Sequence, residues 1–122
     1  MKTLLVVAHG SRRAESNDEV RALTRCLGEQ AGAEFGTVAC AFLELAQPSI
    51  PDGLRAAIAA GAREVVVLPY FLSAGRHVVA DIPNEVAIVR TEHPGVSITV
   101  APYLGEAPEL VGLLLRQAQS GR

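Results

Sequence analysis

Two of the chain's three histidines stand where an imidazole has no evident packing task. His9 follows the apolar run Leu4-Leu5-Val6-Val7-Ala8 and precedes Gly10, a place where an ordinary strand-end role is hard to account for. His77 follows Gly75-Arg76. A carboxylate, Glu44, lies between Leu43 and Leu45, where burying it unpaired would be costly. Two imidazoles and a carboxylate suit a borderline divalent cation such as cobalt, iron, nickel or zinc. A site with three protein ligands leaves coordination positions open for exchange. The same groups accept protons near neutral pH. Plainer readings stand beside these. His77 serves equally as a solvent-facing residue at a helix start, and Glu44 as the ion-pair partner of an arginine. His93, before Pro94-Gly95, reads as a helix C-terminal cap. Arg12 and Arg13 are either solvated or hold an anionic ligand near the start of the first helix, where unpaired backbone N–H groups point.

For residues 9, 44 and 77 to act together, the elements between them must bring them to one place. Thr3 to Ala8 is a continuous apolar run and reads as a strand buried on both faces. Ser16 to Gln30 carries Val20, Leu23 and Leu27 at helical spacing, and Gly32 closes it. Thr37 to Leu43 reads as a second buried strand, and Pro48 to Ala60 as a second helix ended by Gly61. Glu64 to Pro69 contains Val65-Val66-Val67-Leu68, the clearest strand. A loop, Tyr70 to Arg76, leads to a third helix from about His77 to Glu92, with Pro83 as an awkward interior residue. Val96 to Ala101 reads as a fourth strand. Ala107 to Gln119 reads as a last helix with Leu110, Leu113 and Leu114 on one face.

Strand and helix thus alternate, which implies parallel strands joined by right-handed crossovers. The expected fold is α/β: an open, mostly parallel four-stranded sheet with helices on both faces and flavodoxin-like strand order 2-1-3-4. In such a sheet ligands bind outside the carboxyl ends of the strands. His9, Glu44 and His77 follow the first, second and third strands, so the fold predicts that they converge.

The 122 residues suit a single domain, here taken as 1–122. The net charge of -2 argues against a nucleic-acid binder, which needs a basic face. No stretch is long and apolar enough to span a bilayer. The first apolar run is too short for a secretory signal, so a cytoplasmic location is expected. Cys26 and Cys40 form no CxxC pair and read as two small buried hydrophobes. Gly10-Ser11-Arg12-Arg13 is a poor phosphate loop, with neither a GxGxxG nor a Walker pattern, which counts against a nucleotide-binding domain.

Three segments resemble one family. His9-Gly10-Ser11-Arg12, Phe42-Leu43-Glu44 followed by Pro48-Ser49-Ile50, and Pro69-Tyr70-Phe71-Leu72-Ser73-Ala74-Gly75-Arg76-His77-Val78 followed by Asp81-Ile82-Pro83 are similar to the CbiX family. These are the small sirohydrochlorin chelatases, relatives of the siroheme ferrochelatase SirB and the class II chelatases. The resemblance spans nearly the whole chain. It implies a chelatase-like fold and ATP-independent insertion of a divalent metal into sirohydrochlorin, for cobalamin or siroheme biosynthesis. It puts His9 and His77 at the metal-binding and proton-accepting positions and Glu44 at the acidic partner. Ser11, Arg12, Arg13 and Arg76 become candidate partners for substrate carboxylates, and Leu43, Phe71, Leu72, Gly75 and Val78 candidate walls for the macrocycle. Cobalt, iron or nickel is then a substrate, with no tightly bound cofactor. The resemblance to short members implies a homodimer in which two subunits form the cleft. A non-catalytic carrier of metal or tetrapyrrole would use the same residues.

Overall fold

The computed structural model describes residues 2–121. Its four strands are β1 (Lys2–Ala8), β2 (Thr37–Phe42), β3 (Glu64–Pro69) and β4 (Ser97–Val100). All neighbours are parallel, in the order β2-β1-β3-β4. The expected topology holds. β1 is central, with Val6 in register with Cys40 on one side and Leu68 on the other. This explains its uninterrupted hydrophobicity: both faces are covered, and Thr3 to Ala8 are all buried.

The four helices are α1 (Ala14–Gln30), α2 (Ile50–Ala59), α3 (Ile82–Glu92) and α4 (Glu109–Gln119). α2 and α3 pack against each other and close one face of the sheet. Leu5, Val7, Val65, Val67 and Ile98 meet Ile50, Leu54, Ile82, Val86 and Val89 there in one core. Burying each such side chain stabilises the fold by roughly 1.5–3 kcal/mol. α2 begins at Ser49, whose hydroxyl caps Asp52 N–H at 3.2 Å, with Pro51 in the first turn. α1 lies along β2, with Gly28 close to Val38.

Three expectations are corrected. The third helix does not start regularly at His77. Residues His77–Asp81 form a π-helical turn in which the Ile82 N–H donates to the His77 carbonyl, and α3 proper starts at Ile82 with Pro83 in its first turn. Proline supplies no N–H to an α-type ladder, so the turn before it takes another pattern. α4 exists, but its apolar residues do not pack: none is buried, and Val111, Leu114 and Leu115 are 59–66% exposed. The sheet residues Val66 and Leu68, facing away from the α2–α3 core, stay only half-buried. Cys26 is exposed and Cys40 half-buried, both as free thiols, so the two are not buried hydrophobes. Strand and helix ends otherwise move by a residue or two. A 3₁₀ turn over Leu104–Glu106 precedes α4.

Candidate functional site

Parallel pairing places the ends of β1, β2 and β3 side by side, and backbone bonds carry the alignment into the loops. Leu43 N–H donates to the Ala8 carbonyl, and Glu44 N–H to the His9 carbonyl, each at 3.0 Å. Tyr70 N–H donates to the Val7 carbonyl at 2.8 Å. His9 and Glu44 are thus locked together at the backbone before their side chains meet. Gly10, at φ +95°, makes this approach feasible: a Cβ there would lie 1.8 Å from the Glu44 carbonyl oxygen.

The loop after β1 is held by Asn17, a buried residue of α1 that carries no local sequence signal. Its side-chain oxygen accepts from Ser11 N–H at 2.9 Å, and its Nδ2 donates to the Ser11 carbonyl at 2.8 Å. Both polar ends of a buried amide are satisfied, and the loop bearing His9 is tied to a rigid helix. The loop after β3 is tied in a similar way. Gly105 N–H donates to the Phe71 carbonyl at 2.9 Å, and a Cβ on Gly105 would lie 1.9 Å from the Leu72 carbonyl oxygen. Such long-range backbone approaches leave no local sequence signal beyond the glycine itself.

The two imidazoles meet. The ring centroids of His9 and His77 are 4.5 Å apart, with the ring planes at 75°. His9 Nε2 is 3.6 Å from Glu44 Oε1. That spacing is an electrostatic contact, too long for a hydrogen bond. Glu44 is half exposed, and its partner is His9, not an arginine. His77 Nδ1 is 2.8 Å from Asp81 Oδ2 within the π-helical turn. A cleft of about 200 Å³ beside the pair is lined by Leu43, Glu44, His77, Asp81, Asn84 and Glu85. Three carboxylates around two imidazoles make a local field that attracts cations. Among the described residues, no three His, Cys, Asp or Glu side chains are gathered closely enough to hold an ion as a ready-made set. The site consists of pairs around an open space. Leu45, next to Glu44, is held at φ 67°, a left-handed backbone that a leucine adopts only when its surroundings impose it.

The other predicted residues divide. The Ser11 hydroxyl accepts from Arg13 N–H at 3.0 Å, which shapes the turn into α1. Arg12, Arg13 and Arg76 are exposed and make no ion pair among the described residues. Leu43 lines the histidine cleft. Phe71 and Leu72 do not. With Tyr70 and Leu104 they line a neighbouring, mostly apolar pocket. Gly75 is exposed, and its carbonyl accepts from Val78 and Val79 as the π-helical turn begins; Val78 is half-buried. His93 caps α3, its N–H donating to the Val89 carbonyl at 2.9 Å. Asp81, Asn84 and Glu85 were not anticipated in the site. Asp81 lies four residues after His77, a spacing that puts two side chains on one face of a helix and was the available signal.

Comparison with known proteins identifies the family and the fold. The family model named CbiX matches residues 3–120. The chloroplastic sirohydrochlorin ferrochelatase of Arabidopsis thaliana is 39% identical over 102 residues, covering 84% of this chain and 44% of the plant protein. The sirohydrochlorin cobaltochelatase of Methanocaldococcus jannaschii is 32% identical over 93 residues, covering 76% of this chain and 64% of that one. Among solved structures, a CbiX protein from Marinobacter aquaeolei superposes with a TM-score of 0.78 at 32% identity, over 98% of this chain and 95% of that one. The sirohydrochlorin chelatase SirB from Bacillus subtilis, solved with cobalt, gives a TM-score of 0.85 at 28% identity over 98% of this chain and 50% of SirB. The chain therefore spans about half the length of SirB and less than half that of the plant relative. Among the described residues, no helix is long and apolar enough to cross a membrane. With a family match over residues 3–120 and the same fold in solved members, this chain belongs to the CbiX family.

Proposed function

We propose that this chain is a sirohydrochlorin chelatase, placing cobalt or iron, with nickel as a third candidate, into the macrocycle without ATP. The observation that carries the reading is the meeting of His9 and His77 at 4.5 Å on the carboxyl edge of the sheet, with Glu44 beside His9. Relatives named as ferrochelatases and cobaltochelatases of sirohydrochlorin support the substrate class.

The chemistry asks for two things. A metal ion must be held beside the macrocycle and then released. The pyrrole N–H protons must leave as it enters. Two imidazoles close enough to reach one ion from both sides serve the first need, and their incomplete shell favours release. An imidazole beside a carboxylate serves the second, because it takes up a proton and the resulting cation is stabilised by its neighbour. The metal is a substrate, and no tightly bound cofactor enters the scheme. The exposed Arg12, Arg13 and Arg76 stand at the rim, where substrate carboxylates would meet them. The apolar pocket of Tyr70, Phe71, Leu72 and Leu104 offers a wall to the ring. The uncovered apolar residues of α4 and the half-buried Val66 and Leu68 support a second copy of the chain as partner. Light scattering tests that assembly: a dimer is expected, and a monomer that still turns over contradicts it.

The deciding experiment is insertion kinetics with sirohydrochlorin and Co²⁺, Fe²⁺ or Ni²⁺. Multiple turnovers are expected, and they disappear in His9→Ala and His77→Ala while the fold persists. Stoichiometric binding without turnover would make the chain a carrier. Near-normal rates in both variants would remove the mechanism.

A further inference from the structure

We propose that Asp81 is a positioning residue: through His77 Nδ1 it fixes the tautomer in which Nε2 carries the free lone pair, and so presents that nitrogen to the metal. The inference rests on the chelatase reading for its purpose, but on the geometry of residues 77–82 for its content. Asp81 Oδ2 lies 2.8 Å from His77 Nδ1. An ionised carboxylate only accepts hydrogen bonds. The proton between the two atoms therefore sits on Nδ1, and the neutral ring has its lone pair at Nε2.

Three further observations separate this contact from an incidental surface pair. Asp81 lies inside a continuous helical run, with helical backbone angles of φ −68° and ψ −44°, so its side chain has no capping task and makes no bond to a backbone N–H. The carboxylate serves the imidazole instead. The local backbone is also not an ordinary helix. The π-helical turn His77–Asp81 closes with the Ile82 N–H on the His77 carbonyl, and it is this turn that carries both partners. Finally, the two histidines are held differently. His9 makes no hydrogen bond through its ring among the described contacts, and its nearest carboxylate oxygen is 3.6 Å away. His77 is anchored at one nitrogen, and His9 is held by ring packing and an electrostatic contact alone. A carboxylate on the far nitrogen of a metal-binding imidazole orients the ring and raises the basicity of the ligating nitrogen. His77 is then the fixed ligand of the pair, and His9, beside Glu44, is the ring with freedom to accept and pass on a proton.

The test uses the full chain without tetrapyrrole. Long-range ¹H–¹⁵N correlation spectra, recorded where the rings are neutral, report which nitrogen of each histidine bears the proton. Titration with Co²⁺ alone reports metal affinity. Wild-type His77 is expected with its proton on Nδ1. In Asp81→Ala the proton moves predominantly to Nε2, and Co²⁺ binding weakens by about 10–100-fold. Asp81→Asn keeps an oxygen acceptor, so it retains the wild-type tautomer and recovers most of the affinity. Wild-type His77 protonated on Nε2 overturns the proposal, and this outcome needs no variant to fold. Unchanged tautomer and affinity in Asp81→Ala overturn it as well, as does an Asp81→Asn variant no better than alanine. Because neither readout involves the macrocycle, failure of metal insertion with these results intact would remove the chelatase reading and leave Asp81 in its role.

Discussion

Replacing Gly10 by alanine adds one methyl group at the point where the first and second loops touch. The new Cβ would lie 1.8 Å from the Glu44 carbonyl oxygen and 2.9 Å from its carbon. Non-bonded heavy atoms settle at about 3.5 Å, so one of the two loops must retreat by ~1.5 Å or more. Retreat strains the bonds that Leu43 and Glu44 donate to the Ala8 and His9 carbonyls. Each such bond contributes about 0.5–1.5 kcal/mol. Alanine also has to hold φ near +95°, at a further cost of about 1–3 kcal/mol. The sum is roughly 2–6 kcal/mol, which lowers the midpoint of thermal unfolding by on the order of 10–20 °C in a domain of this size. The same retreat separates His9 from Glu44, and a displacement of this size costs about 10²-fold in rate. Calorimetry and insertion kinetics measure the two effects together. A Gly10→Ala protein with the wild-type midpoint and rate would refute the claim that this contact builds the site.

Other outcomes follow from the same contacts. Asn17→Ala removes both bonds to Ser11 and lowers stability by about 1–3 kcal/mol, read by denaturant titration. Glu44→Ala lowers the insertion rate less severely than either histidine variant, and a rate equal to wild type would demote Glu44 to a structural role. Arg55 links α2 to α3 by donating Nε and Nη2 to the two oxygens of Glu92, at 2.9 and 2.7 Å. That hydrogen bonding holds the Glu92 carboxyl below the ordinary carboxylate range. A lowered folded-state value means stabilisation that is present above the ordinary value and lost as the pH falls through the lowered one. Glu92→Gln should therefore reduce the unfolding midpoint near neutral pH, and the gap to wild type should close as the pH drops below the carboxylate range. A gap that persists into strong acid would contradict this.

The sheet was legible because its signals are local and repeated. Val65-Val66-Val67-Leu68 and Leu4-Leu5-Val6-Val7-Ala8 leave little choice but strands buried on both sides, and their alternation with helical spacing sets parallel order. The convergence of His9, Glu44 and His77 followed from that topology. The supporting contacts were not legible, because each depends on residues far apart in the chain. Asn17 looks like any polar residue of an exposed helix until the loop at Ser11 folds back over it. Gly105 reads as a turn residue, although its absent side chain is what admits the Leu72 carbonyl. The π-helical turn at His77–Asp81 was only hinted at by Pro83. α4 has the helical periodicity of a packed helix, and periodicity alone does not say what covers the apolar face. Cys26 went wrong for a related reason: a cysteine's usual preference for burial gave way to its place on the outer side of α1.

The central claim is that His9 and His77 together hold the incoming metal. A crystal of the protein soaked with cobalt and measured at the cobalt absorption edge tests it directly. The ion should appear between the two rings, about 2 Å from a nitrogen of each, with the His77 contact through Nε2. Cobalt bound elsewhere on the molecule, with both imidazoles left without metal, would contradict the account.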